Sequence, residues 1–253
     1  MNKTAAIPRM IAIFLLAIAP AVSWAGPPFF TDDPVPVGRK NWELYVASQQ
    51  FVAGRTWSGT LPHIEANYGA APDVQLHVIL PMAYLKPVGQ PLRYGFGDIE
   101  LGVKFRFIGE TSSRPQVGTF PHVILPAGAG DRGLGSGHVQ VFLPLWLQKS
   151  WGPWTTYGGG GYWINPGPGN KNYWTFGWQA QRDLSEDLTI GAELTGHSPS
   201  SVSDAGETAL NLGAMLTVGK GRILMASAGR DIHGPNAFFA YVAYYWTWGP
   251  SGE

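Results

Sequence analysis

Residues 97–107 read Gly-Asp-Ile-Glu-Leu-Gly-Val-Lys-Phe-Arg-Phe (GDIELGVKFRF). An extended chain sends successive side chains to opposite faces. In this stretch Asp98, Glu100, Lys104 and Arg106 then fall on one side, and Ile99, Leu101, Val103, Phe105 and Phe107 on the other. The apolar side needs either a protein core or lipid. In a membrane barrel it faces hydrocarbon, and the charges turn inward to a wet interior. Which of the two applies decides the fold.

Composition narrows the choice. The chain has 253 residues, of which 13% are charged and 13% aromatic, with 11 Trp and 34 Gly. That charge content is about half the ~25% of soluble domains, and the aromatic content is too high for a disordered chain. The formal net charge is zero, which gives no footprint for a nucleic-acid partner. There is no cysteine, so disulfides, thiolate-bound zinc and a thiol nucleophile are all excluded. Residues 1–25 have the plan of a secretory signal peptide: Lys3 and Arg9 without an acid, a short apolar run over 11–19, and Ser23-Trp24-Ala25 as a cleavage site. No later run is apolar for the ~18 residues a spanning helix requires.

Beyond residue 40 the period of two keeps returning, and the helical period does not. Strands are expected near 41–52, 60–70, 73–84, 95–108, 115–126, 137–149, 153–164, 172–182, 187–197, 207–218, 221–230 and 237–248. That makes about twelve, each near the ~9–11 residues of a tilted membrane strand. Short links (71–72, 109–114, 151–152, 183–186, 219–221) alternate with longer ones (85–94, 127–136, 165–171, 198–206, 231–236). Outer-membrane barrels segregate loop length in this way. The faces agree: Val139, Val141, Leu143, Leu145 and Leu147 oppose His138, Gln140 and Gln148, while Leu210, Leu212, Leu216 and Val218 oppose Glu207, Asn211 and Thr217. Trp and Tyr gather at strand ends, as in the interfacial girdles of barrels. The fold class read from these patterns is an all-β, transmembrane, antiparallel up-and-down β-barrel of about 12 strands. It occupies 40–249, after an N-terminal periplasmic extension at 26–39 and before a tail at 250–253. An even strand number puts both termini in the periplasm of a Gram-negative cell, with the barrel in the outer membrane.

The expected lumen-lining residues are Asp98, Glu100, Lys104, Arg106, His63, Glu65, His77, His122 and His138. Glu65 and His77 are expected near one another across a tight hairpin. Zinc needs at least three converging protein ligands, and the sequence shows no such set, so neither a metal nor a cofactor is expected. Gly128-Ala-Gly-Asp-Arg-Gly133 matches a dinucleotide fingerprint in letters, but a strand follows where a helix is required, and it reads as a loop. A barrel enzyme acting on lipid needs a nucleophile held by a base; His197-Ser198 is the nearest pair, and the preferred reading is not an enzyme. His-Val-Ile-Leu-Pro occurs at 77–81 and again at 122–126. Pro81, Pro121 and Pro144 cannot donate to a ladder, which raises the prospect of a kinked wall with a lateral gap.

Four stretches carry a family resemblance: GPPFFTDDPVPVGRKNWELY (26–45), LPHIEANYGAAPDVQLHVILP (61–81), GFGDIELGVKFRF (95–107) and LPLWLQKSWGPWTTYGGGGYWINPG (143–167). Together they resemble the "MetA-pathway of phenol degradation" family of outer-membrane barrels. Its members are transporter-like and distantly similar to long-chain fatty-acid and aromatic-hydrocarbon channels. The resemblance implies a channel that passes small hydrophobic or aromatic molecules by passive diffusion. The alternatives are a lipid-acting barrel enzyme and a closed structural barrel. By analogy with those channels, Phe29, Phe30, Asp32 and Asp33 would enter the lumen as a plug. The implied partners are outer-membrane lipid, a small-molecule solute and the barrel assembly machinery. The chain departs from the usual barrel ending, because Trp248 is followed by Gly-Pro-Ser-Gly-Glu.

Overall fold

The computed structural model describes residues 27–250; the signal segment 1–25 and most of the 250–253 tail lie outside the described residues. Fourteen strand segments form one antiparallel sheet: β1 (Trp42–Ala53), β2 (Thr56–Ala71), β3 (Val74–Lys86), β4 (Arg93–Phe96), β5 (Ile99–Ile108), β6 (Gln116–Thr119), β7 (His122–Leu125), β8 (Gln140–Trp151), β9 (Trp154–Ile164), β10 (Tyr173–Asp183), β11 (Leu188–His197), β12 (Glu207–Gly219), β13 (Arg222–His233) and β14 (Phe238–Trp248). β4 and β5 pair in succession with β3, and β6 and β7 pair in succession with both β5 and β8. Each couple is therefore one stave broken in the middle, and the sheet has twelve staves. β1 pairs with β14 from Trp42↔Trp248 to Val52↔Phe238, which closes the barrel and leaves no edge.

The two breaks fall where the sequence expected single strands, at 95–108 and 115–126. Proline explains them. Pro81 and Pro121 bring no N–H to the ladder, and the wall bends past them. Hydrogen bonds lace both interruptions: Gly97 N–H donates to the Pro81 carbonyl (2.9 Å) and Val103 N–H to the Pro121 carbonyl (3.2 Å). The Thr119 hydroxyl donates to the Pro144 carbonyl (2.6 Å), and Pro144 itself stays in register with Gly161. Pro81 and Pro121 thus sit at interruptions of the ladder that single hydrogen bonds bridge. The first hairpin also differs from expectation, since β1 and β2 run on to a tight turn at Gly54-Arg55. It is the short member at the end where the longer connections otherwise lie.

The two faces of GDIELGVKFRF separate as the period dictates. Leu101, Val103, Phe105 and Phe107 are exposed on the outside, and Gly102 and Lys104 are buried within. The same holds around the barrel for Leu76 and Leu80 of β3, Leu143 and Leu145 of β8, Trp174, Phe176 and Trp178 of β10, and Leu210, Leu212 and Leu216 of β12. A belt of this size is a liability in water and a requirement in hydrocarbon. Its aromatic margin includes Trp42 stacked on Trp248 (6.4 Å between centroids) and Trp151 and Trp154 at the β8–β9 turn. Arg182, the one charge on the outer phase of β10, sits near the strand end with its guanidinium over Trp154 (5.4 Å).

Candidate functional site: the lumen

The barrel encloses the N-terminal segment. Residues 28–37 touch inward side chains of staves on all sides, which is possible only inside the cylinder. The Ser227 hydroxyl of β13 donates to the Pro28 carbonyl (2.6 Å). Phe29 lies against Gly191 of β11 and Gly213 of β12; a Cβ at either glycine would come within 2.8 Å of its ring. Glu193 of β11 accepts the Phe30 N–H (3.1 Å) and the Thr31 N–H, and is held by Asn211 of β12 (2.9 Å). Lys104 of β5 bonds Asp32 (2.9 Å) and Asp33 (3.3 Å). Val37 N–H donates to Gln75 of β3 (2.9 Å). Isolated charges in so enclosed a space would be costly, and pairing with hydrogen bonding makes Lys104, Asp32 and Asp33 tolerable there. The segment ends against β2, where Gly69 lies so close to the Gly38 carbonyl that a Cβ would fall 2.0 Å from its oxygen. Phe30 turns away from the segment's buried side and packs on Phe239 (5.0 Å) and Phe51 (6.0 Å).

The inward histidines and acids form one cluster above this segment. His77 of β3 reaches Glu100 of β5 through Nε2 (3.1 Å) and Asn67 of β2 through Nδ1 (2.6 Å). Asn67 in turn donates to Glu65 (2.9 Å), which lies 3.7 Å from His77. His122 of β7 reaches the same Glu100 oxygen through Nδ1 (3.1 Å). His63 is buried and within 3.3 Å of the Thr60 hydroxyl. Both imidazoles thus converge on one carboxylate, a pattern suited to fixing ring orientation. Among the described residues no group of three or more His, Asp or Glu side chains is placed to hold a metal ion.

Other expected lining residues lie elsewhere. Asp98 sits at the β4–β5 break and accepts the N–H groups of Gly128 (3.0 Å) and Ser136 (2.6 Å). It pins the glycine-rich 127–136 loop instead of lining the lumen, because the break takes it out of the strand's alternation. His138 is exposed and precedes β8, which begins only at Gln140; its ring contacts the Ser136 carbonyl (3.1 Å). Arg106 lies at the rim, bonding Asp73 (2.6 and 2.9 Å) and Gln116 (3.1 Å). In the His197-Ser198 pair the imidazole contacts the Ser198 carbonyl (2.9 Å), while the Ser198 hydroxyl accepts the Trp174 N–H (3.0 Å). That geometry does not join a base to a nucleophile.

Two sets of inward residues escaped the sequence reading. One is Gln179, Gln181 and Glu193, all buried, which extend the polar band that the expected inward residues Gln148 and Asn211 begin. The other is aromatic: Phe142, Trp146, Trp163, Tyr157, Tyr45 and Tyr245. Their phase was available, since Phe142 and Trp146 alternate in step with Gln140 and Gln148. Tyr245 donates to Glu43 (2.9 Å) and packs on Tyr45 (4.7 Å). A cavity of about 1090 Å³ runs beside the N-terminal segment, lined at one rim by Lys220, Thr247 and Trp248 and at the other by Trp163, Tyr173, His197 and Glu207.

The shape is shared with solved proteins. The COG4313 outer membrane channel from Pseudomonas putida F1 superposes with a TM-score of 0.70 at 14% identity, covering 89% of this chain and 100% of that one. The chain shares with that channel the fold of a closed antiparallel barrel. The NanC porin matches this barrel with a TM-score of 0.56 at 6% identity, over 80% of this chain and 98% of the porin. The KdgM porin gives 0.54 at 8% identity, over 81% and 98%. No protein-family model matches the barrel's sequence, and no curated protein matches it.

Proposed function

We propose that the barrel is a passive outer-membrane channel for small, hydrophobic or aromatic molecules, with both termini in the periplasm and residues 26–39 acting as a plug. The observation that carries this reading is the cavity that reaches both rims beside the N-terminal segment. A barrel of twelve staves is wider than the eight-stranded barrels that side chains fill and narrower than the water-open porins. Its free cross-section is therefore set by what sits inside. The segment is anchored to side chains, through Glu193, Lys104, Gln75 and Ser227, so it can be released without undoing the wall. The similarity to a channel and two porins supports a channel role, and the inner aromatic residues and the family resemblance support ring-bearing or apolar solutes. Lipid around the belt and the barrel assembly machinery complete the expected partners. Planar-bilayer conductance of the mature chain and of a variant lacking 26–38 tests the reading. Deletion is expected to raise the unit conductance, and equal conductance would dispose of the plug.

A further inference from the structure

Six rings form a continuous row along the lumen wall. His77 of β3 lies 5.6 Å from His122 of β7, nearly parallel at 18°. His122 lies 5.7 Å from Phe142 of β8, Phe142 4.7 Å from Trp163 of β9, and Trp163 6.0 Å from Tyr173 of β10. Tyr173 ends the series 5.7 Å from His197 of β11. All six line the lumen cavity. The row is written into the register: Gly102↔His122, His122↔Phe142, Phe142↔Trp163 and Trp163↔Tyr173 are direct cross-strand partners. A row of cross-strand partners runs perpendicular to the strands. Because barrel strands tilt by ~35–45°, such a row must climb along the axis as it circles. His77 stands three positions from the start of β3, whereas Tyr173 is the first residue of β10 and His197 the last of β11. The row is therefore a ramp from the lower lumen to the opposite mouth.

Glycines keep the ramp unobstructed. Between the two histidines the register places Gly102, where a Cβ would fall 2.8 Å from Phe120 and 2.9 Å from His122. Beside Phe142, Gly161 of β9 leaves its ring room that a Cβ, at 2.4 Å, would close. Carboxylates stand at both ends. Glu100 holds His77 and His122, while Asp204 and Glu207 face His197 at 3.7 and 3.9 Å. Beside the ramp, Lys104 over the Phe120 ring (4.7 Å) is bonded to Asp32 and Asp33.

We infer that this ramp is the solute track of the channel, selecting uncharged planar ring compounds over anionic ones. Ring–ring contacts at 4.5–7 Å add attraction beyond area burial, and repeated sites of similar strength let a solute step along without being trapped. The acids at each end disfavour a carboxylate. Two buried polar atoms beside the ramp, Trp146 Nε1 and His122 Nε2, have no protein hydrogen-bond partner among the described residues. A solute with both a donor and an acceptor suits them. The inference rests on the channel reading, which it makes specific.

Benzamide, benzoate and cyclohexanecarboxamide separate the contributions: the first two differ in charge, and the first and third in the flat ring. Equilibrium binding to the purified mature chain in detergent is measured first, and bilayer current block second. Saturable benzamide binding is expected, about tenfold tighter than either other probe. The F142L/W163L variant keeps apolar volume and removes two rings, so it should lose about tenfold in benzamide affinity. Y173L, at the mouth, should lose a few-fold; a heat-modifiable gel shift checks that each variant has folded. Equal binding of benzamide and benzoate, or unchanged affinity in both variants, overturns the ramp. Ring-selective binding without any conductance would keep the ramp as a binding site and overturn the channel reading instead.

Discussion

Glu193 is the main anchor of the segment that occupies the lumen, and replacing it with Gln tests what holds that segment. The carboxylate accepts two backbone N–H groups, from Phe30 and Thr31, and one amide hydrogen from Asn211. A Gln of nearly the same shape keeps a single acceptor oxygen. At least one N–H of the segment, or that of Asn211, then loses a charged partner in a buried site. A hydrogen bond to a charged group contributes about 1.5–3 kcal/mol net. At 1.4 kcal/mol per factor of ten, Glu193→Gln should raise the population of the unseated segment by about 10–150-fold. The chain has no cysteine, so Thr31→Cys supplies a clean reporter. Thr31 is only 1% exposed, and a thiol there can react with a water-soluble maleimide only when the segment leaves its seat. Labelling of T31C/E193Q should be at least tenfold faster than labelling of T31C. Equal rates in folded protein would mean that Glu193 does not hold the segment in its seat.

Other outcomes follow from the same structure. Val103→Arg puts a charge on the lipid face and should cost about 2–4 kcal/mol if the site lies near the midplane, read as a loss of folded fraction in liposome titrations. Gly102→Ala crowds Phe120 and His122 and should cost about 1–3 kcal/mol, lowering the temperature at which the heat-modifiable gel band converts. Asp204 in the 198–206 loop accepts hydrogen bonds from the Ser200 N–H and hydroxyl and from the Gly206 N–H. Its partial burial would raise its pKa, but these bonds outweigh that and hold it down at about 2. A depressed carboxylate stabilises above its unfolded value of about 3.9 and loses that contribution as pH falls through its folded value. The protection factor of this loop, its exchange rate corrected for the intrinsic pH dependence, should thus fall progressively from about pH 4 to about pH 2, whereas Asp204→Asn should lack that protection already at pH 7.

The barrel was legible because hydrocarbon imposes a rule that recurs on every strand. The alternation at 97–107 held from Leu101 to Phe107, and the same alternation located twelve staves. The breaks at Gly97-Asp98 and Phe120-Pro121 were harder to see. Proline announces a lost hydrogen bond but does not say whether a strand ends or merely bends; here neighbouring N–H groups and the Thr119 hydroxyl make up the loss. Asp98 and His138 were misplaced for the same reason, since strand phase has no meaning beyond the strand. Glu65, His77, Glu100 and His122 lay where their phase put them. The ramp could not have been found from single strands: its rings meet through register, and register depends on hairpin geometry and bulges that alternation does not encode. The position of Phe29 between Gly191 and Gly213 is likewise a long-range contact, and no local pattern in 26–39 predicts it.

The most direct test of the central claim is spin-label accessibility along residues 100–107, one engineered cysteine at a time, in the reconstituted protein. Oxygen, which partitions into hydrocarbon, should reach labels at 101, 103, 105 and 107 and much less those at 100, 102, 104 and 106, with a period of two. A flat profile, or a water-soluble relaxer reaching the first set best, would contradict a lipid-faced barrel with a wet interior.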